Sequence, residues 1–293
     1  MKRVDILSKI RENYEFVVEI GAGPAPYHRT NVIVDKYPFD NFERCANIQA
    51  VAPVIKADAA CLPFREKSID LLFISQVVEH LPDPILFLKE AKRVAKDIYI
   101  ETPSPVREVI FGWSFHRWVI RIEGNKWIFH KNDLAQLCSS HFHNEKDIFF
   151  IEYTANNFDK FNNYYYGPVS SLEFEMSPAT ALGYLTETNQ EKTDFPSSII
   201  DVPYVDKIRA LLYLLIKNII PIGIKFTIKK VGFAIKRSEY RNITNFEDVS
   251  KGRLMCVFCK KPMNDIDVMC ACGVATKRVN SILSFDADDY TKS

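Results

Sequence analysis

Val17-Val18-Glu19-Ile20-Gly21-Ala22-Gly23 decides the fold. A short apolar run that does not alternate with polar residues reads as a strand buried on both faces, as in a parallel sheet. The glycines that end it let the backbone turn and approach a ligand at the carboxyl end of that strand. Working outward, Val32-Ile33-Val34 is a second such run, ended by Asp35, and Pro53-Val54-Ile55-Lys56-Ala57 is a third, ended by Asp58. Asp70-Leu71-Leu72-Phe73-Ile74 is a fourth, and Ile98-Tyr99-Ile100 a fifth. Ile85, Leu88, Ala91 and Val94 carry helical spacing between the last two. Residues 1–15 read as an amphipathic helix, 132–140 as another helix and 148–151 as a strand.

Short apolar strands alternating with connecting segments predict an α/β protein with a Rossmann-like, doubly wound, mostly parallel sheet. The connection after Gly23 is unusual. Pro24 and Pro26 stand where a long helix would open, so a helix of one or two turns is expected there.

The acids at the strand ends have a chemical reading. A carboxylate at the tip of the second strand can accept both hydroxyls of a ribose, and one after the third can accept from an adenine amino group. Glu19, Gly21, Gly23, Asp35 and Asp58 together describe a site for a nucleoside-containing ligand. A dinucleotide site would want a third glycine where Pro26 stands.

From Val17 to Pro103 the chain resembles the core of the class I S-adenosylmethionine-dependent methyltransferases, of the methyltransferase type 11 kind. The motifs that carry the resemblance are Val17–Gly23, Val34-Asp35, Ala57–Phe64, Ser68–Leu81 and the helix Phe87–Val94. It implies that backbone at Gly21 and Gly23 faces the methionine part of S-adenosylmethionine, with Glu19 contacting its ammonium directly or through water. Asp35 would hold the ribose, Asp58 and the Ala59 backbone would meet adenine, and Ser75 and Gln76 would lie near the sulfonium. The implied reaction is methyl transfer to a small-molecule or glycan acceptor, lipid-linked ones included, at oxygen. His80 is the candidate catalytic base, with His116 and His130 behind it, because imidazole exchanges protons near neutrality.

Cys256, Cys259, Cys270 and Cys272 form two close pairs, which suit tetrahedral zinc held by four thiolates in a structural role. A redox dithiol and a ribbon without metal are the alternatives. The segment from Leu254 to Phe285 resembles the small zinc ribbons attached to bacterial methyltransferases. The expected organisation is a cofactor-binding core over 1–152, an irregular then helical lid or accessory region over 153–237, a linker over 238–251, and a C-terminal β zinc ribbon over 252–293. Within the second region, Tyr164-Tyr165-Tyr166 and the aromatics of 104–130 read either as a substrate lid or as core under a long loop.

Composition limits partners. Lys+Arg 38 against Asp+Glu 37 gives no chain-wide attraction to nucleic acid or an acidic membrane. Residues 206–237 are basic and apolar. They read either as helices packed on the core or as a peripheral contact with the inner face of a membrane. No secretory signal opens the sequence, and no apolar run reaches the roughly 18 residues of a membrane span, so a cytoplasmic protein is expected. Two other readings remain: an RNA or protein methyltransferase that grips substrate with the ribbon, and a non-catalytic adaptor on the same fold.

Overall fold

The computed structural model describes residues 1–41, 43–44, 46–134, 153–188, 246, 250–263, 270, 272–273, 277–279 and 282–286. Its centre is an eight-stranded sheet ordered β12-β13-β3-β2-β1-β4-β5-β8. These strands are β1 (Val17–Ile20), β2 (Val32–Asp35), β3 (Val54–Lys56), β4 (Ile69–Ser75), β5 (Ala95–Pro103), β8 (Asn162–Pro168), β12 (Lys277–Val279) and β13 (Ile282–Ser284). β13, β3, β2, β1, β4 and β5 run parallel; β8 and β12 are the antiparallel edges.

Two-residue alternation sends each strand's side chains to opposite faces. Val18, Ile20, Leu72, Ile74, Ile98 and Ile100 join one core cluster. Val17, Leu71, Phe73 and Tyr99 join a second, with Ile6, Ile10, Tyr14 and Tyr27. Both faces are therefore covered, which explains why the strands read as continuous apolar runs. Helix α2 (Pro84–Val94) covers the first face with Phe87, Leu88, Ala91 and Val94. Asp83 caps it by accepting from the Leu86 amide, and Pro84 opens its first turn. The N-terminal helix α1 is short, Arg3–Leu7.

The segment 21–31 contains turns and no helix, which corrects the expected one or two helical turns. Two prolines lack amide donors, and the buried Glu19 carboxylate takes the loop's polar groups instead. It accepts from the Tyr27 amide at 2.8 Å and from the Thr30 hydroxyl at 2.6 Å.

The aromatic stretch after β5 is ordered. Helix α3 (Pro105–Phe111) leads into β6 (Trp118–Glu123) and β7 (Lys126–Lys131), which pair with β9 (Glu173–Met176) in a three-stranded sheet. Trp127 and Phe129 are fully buried there. Residues 164–166, within a region read as irregular, form the middle of β8. Tyr165 packs on the first core cluster, and Tyr164 and Tyr166 on the second. Helices α4 (Phe158–Phe161) and α5 (Ala181–Thr188) complete this part. The helix expected at 132–140 and the strand at 148–151 fall almost wholly outside the described residues, as do 206–237. No described helix is long and apolar enough to cross a membrane.

The cysteine-bearing segment is joined to the core sheet. Besides β13 on β3, the short strands β10 (Leu254–Met255) and β11 (Pro262–Met263) pair with each other, and Leu254 bridges to Phe64. The Arg65 amide donates to the Arg253 carbonyl at 2.7 Å, and Arg253 Nη1 donates to the Ser68 carbonyl at 2.6 Å. Arg253 also lies over the Phe16 ring.

Candidate functional site

The carboxyl ends of β1 to β5 lie side by side, as parallel pairing requires. Gly21 and Gly23 take φ of +65° and +59°, the left-handed region that glycine enters without strain. The Gly21 amide donates to the Val34 carbonyl at 2.9 Å, and the Ala57 amide donates to the Asp35 carbonyl at 3.2 Å. The backbone at Asp35 is thereby tied to the glycine turn through its neighbour and to the segment bearing Asp58 and Ala59. A methyl group on Gly21 would lie 2.5 Å from Val77 Cγ2, whereas one on Gly23 would meet nothing within 4 Å. Gly21 serves close packing against the chain after β4, and Gly23 borders open space.

Each predicted acid has a partner that the sequence did not announce. Asp35 accepts from the Tyr37 amide at 2.7 Å and from Arg44 Nη1 at 2.9 Å. Burial pushes its carboxyl up and Arg44 opposes that shift. Asp58 accepts from Lys36 Nζ at 2.6 Å and from the Ala60 amide at 2.8 Å, and Ala59 is buried. Glu19 is 2% exposed, and burial pushes its carboxyl up to about 7. It holds the glycine loop from inside.

Ser75 and Gln76 follow at the end of β4. The Ser75 hydroxyl and the Tyr99 hydroxyl both donate to Glu101, and Arg3 Nε lies 2.9 Å from both Glu101 oxygens. Arg3 Nη2 also reaches the Ser75 hydroxyl at 3.3 Å. Helix α1 thus contributes a guanidinium to this end of the sheet. Gln76 has φ of +56° and donates its amide to the Glu101 carbonyl. Neither Arg3 nor Glu101 was legible as a site residue.

His80 closes a 3-10 turn, Val78–His80. Its ring stacks on Phe115, with centroids 5.4 Å apart, and meets His116 edge-on at 4.6 Å. Its pKa is raised: burial lowers it, but Glu43 and Glu79 outweigh that. His130 lies elsewhere, its Nδ1 3.1 Å from the Ala179 carbonyl oxygen and its ring stacked on Tyr184. A polar hollow of about 400 Å³ lies at the opposite end of the strands, between Arg11, Asp70 and Asp97. Its lining includes none of the predicted site residues.

The four cysteines meet. Their sulfurs all lie within 4.8 Å of one another, with Cys259 to Cys270 at 3.3 Å and Cys256 to Cys272 at 3.7 Å. Two tight turns shape them: the Lys260 amide donates to the Cys256 carbonyl, and the Gly273 amide to the Cys270 carbonyl. Lys260 and Gly273 both have positive φ. Thiolates of a tetrahedral zinc, bound at about 2.3 Å, stand a little under 4 Å apart, so the donor set fits the ion.

Residues 25–97, from the glycine loop to the start of β5, match the model of the family described as "Methyltransferase domain". That part of the chain carries a methyltransferase domain on a Rossmann-like sheet. Solved structures with similarity include three bacterial proteins. One is an S-adenosylmethionine-dependent methyltransferase, possible histamine N-methyltransferase, from Thermotoga maritima: 20% identity, 34% of this chain and 50% of that one, TM-score 0.28. Another is the YcgJ protein of Bacillus subtilis: 19% identity, 37% and 55%, TM-score 0.27. A third is an S-adenosylmethionine-dependent methyltransferase from Aquifex aeolicus: 17% identity, 35% and 64%, TM-score 0.25. The chain spans about half the length of the first two. No curated protein matches it.

Proposed function

We propose that this chain transfers a methyl group from S-adenosylmethionine to an oxygen of a small-molecule or glycan acceptor, lipid-linked ones included. The observation that carries the reading is the backbone chain linking the Gly21 turn, Asp35 and the Asp58 segment at adjacent strand ends. Bound there, S-adenosylmethionine would supply an already activated methyl on its sulfonium. The residues need only bind, align and exclude water. Asp35 would take the ribose hydroxyls as Arg44 yields, and Asp58 with the Ala59 backbone would take adenine. Gly21 and Gly23 would approach the methionine part, with Glu19 steadying their loop. Ser75 and Gln76 would border the sulfonium.

The four cysteines are proposed to hold a structural zinc. A metabolite or glycan acceptor is favoured over RNA by the balanced charge of the chain and by Asp265 and Asp267 offsetting the lysines of the cysteine segment. The basic, apolar stretch 206–237 supports contact with a membrane that carries a lipid-linked acceptor.

Incubation with methyl-labelled S-adenosylmethionine and a fractionated extract tests the reading. Label in the small-molecule, glycan or lipid fraction supports it. Label confined to RNA or protein favours a macromolecular acceptor instead. Cofactor binding without label in any fraction leaves a non-catalytic adaptor.

A further inference from the structure

Glu79 is fully buried, and neither of its carboxylate oxygens has a hydrogen-bond partner among the described residues. Leaving a buried charged group without such partners costs several kcal/mol, so either burial keeps this carboxyl protonated or a cation compensates it. Protonated His80 and, more weakly, Arg107 offset its charge, but the Arg107 guanidinium is engaged by Asn162, and a cation held by neutral imidazoles would take His80's part. Around Glu79 stand two imidazoles. One donor atom each from Glu79, His80 and His116 lies within 4.8 Å of the others, and His80 Nε2 is 4.0 Å from Glu79 Oε1.

The histidines are backed by carboxylates on their far nitrogens. His116 Nδ1 lies 2.6 Å from Glu108 Oε1, in a pair that is itself buried. His80 Nδ1 lies 3.2 Å from Glu43 Oε2, in ion-pair range though off hydrogen-bond geometry. A carboxylate behind Nδ1 is the arrangement that fixes the ring of a ligand histidine and raises its basicity, with Nε2 coordinating. Phe115 and Trp113 wall the rings.

We propose that Glu79, His80 and His116 bind one divalent transition-metal cation, with Glu108 and Glu43 holding the two rings. The donor set is one oxygen and two nitrogens, distinct in chemistry from the four thiolates, and suits zinc, cobalt, iron or manganese. Donors on one ion stand roughly 3–4 Å apart for bonds near 2.1 Å, so pairs that lie within 4.8 Å here close by up to about 1–2 Å on binding. The cation neutralises the buried carboxylate and fastens the turn after β4 to the segment following α3. Its binding does not depend on the proposed methyl transfer.

The test uses the full chain given one equivalent of zinc, which the four thiolates take first, and then titrated with Mn²⁺, which thiolates hold poorly, followed by electron paramagnetic resonance. The expected result is one bound Mn²⁺ per chain, with affinity lowered at least about tenfold in Glu79→Gln and in His116→Gln and zinc content unchanged. A wild-type chain that retains neither Mn²⁺ nor Co²⁺ overturns the proposal, as do variants with wild-type affinity. Proton magnetic resonance of the wild type decides without any variant. Mn²⁺ that selectively broadens the His80 and His116 ring signals supports the site, and unchanged signals overturn it.

Discussion

Leu283 of β13 lies in parallel register with Ile55 of β3, so the last described strand of the cysteine-bearing segment belongs to the same sheet as the strand leading to Asp58. The Phe285 amide extends the pairing by donating to the Lys56 carbonyl at 2.7 Å. Leu283 is 8% exposed within the first core cluster. Leu283→Asp would bury an unpaired charge, and a loss of about 3 kcal/mol is expected. Urea unfolding of the two proteins measures it; a loss below half that size would show that the edge is not part of the core.

The same joint predicts how zinc loss is felt. Stripping the ion proposed at Cys256, Cys259, Cys270 and Cys272, or substituting Cys259→Ser, should lower the melting temperature of the whole sheet in one calorimetric transition. A separate low-temperature transition with the main one unmoved would mean that the thiolates stabilise only their own turns.

Asp35→Ala removes the acceptor proposed for the ribose. Hydrogen bonds to a charged group are worth roughly 1.5–3 kcal/mol, so cofactor affinity should fall about 10- to 100-fold. Calorimetric titration with S-adenosylmethionine reads this directly, and unchanged affinity would remove the site assignment.

Glu19 makes stability depend on pH with a definite sign. Its folded carboxyl titrates at about 7, against an ordinary 4.5, because burial disfavours the charge. Between those values the folded chain keeps a proton that the unfolded chain has released. Its contribution is therefore complete below 4.5 and is lost as pH rises to about 7. Glu19→Gln should flatten this slope relative to wild type in thermal melts taken from pH 4.5 to 7.5.

The two glycines should separate in their tolerance. Gly23→Ala meets open space and is strained only by its φ, which costs about 1 kcal/mol. Gly21→Ala adds a contact with Val77 and should cost about 2 kcal/mol or more. Equal losses would contradict the close approach of Gly21 to the chain after β4.

The parallel centre was legible because burial on both faces leaves a direct mark on composition. Val17–Ile20, Val32–Asp35 and Ile69–Ser75 fall within a residue or two of their apolar runs. What escaped was non-local. Asn162, Gly167 and Pro168 weaken the strand signal of β8, which is fixed by pairing with β5. Nothing in Ile282–Ser284 says that its neighbour is β3. Among site residues, Asp35 and Asp58 stood out because acids end apolar runs. Arg44 and Lys36, which hold them, lie in loops without a pattern. His80 and His116 were each visible as candidate bases, but their meeting beside Glu79 and Glu108 depends on an aromatic stretch whose path only tertiary packing defines.

The pairing of β13 with β3 also bears on how the chain is made. A nascent polypeptide leaving the ribosome presents β3 with bare N–H and C=O groups until residues 282–284 emerge. At about 5–20 residues per second, that interval is on the order of ten seconds or longer. During it the growing chain carries an open edge beside its glycine turn, a template for wrong pairing with other nascent chains.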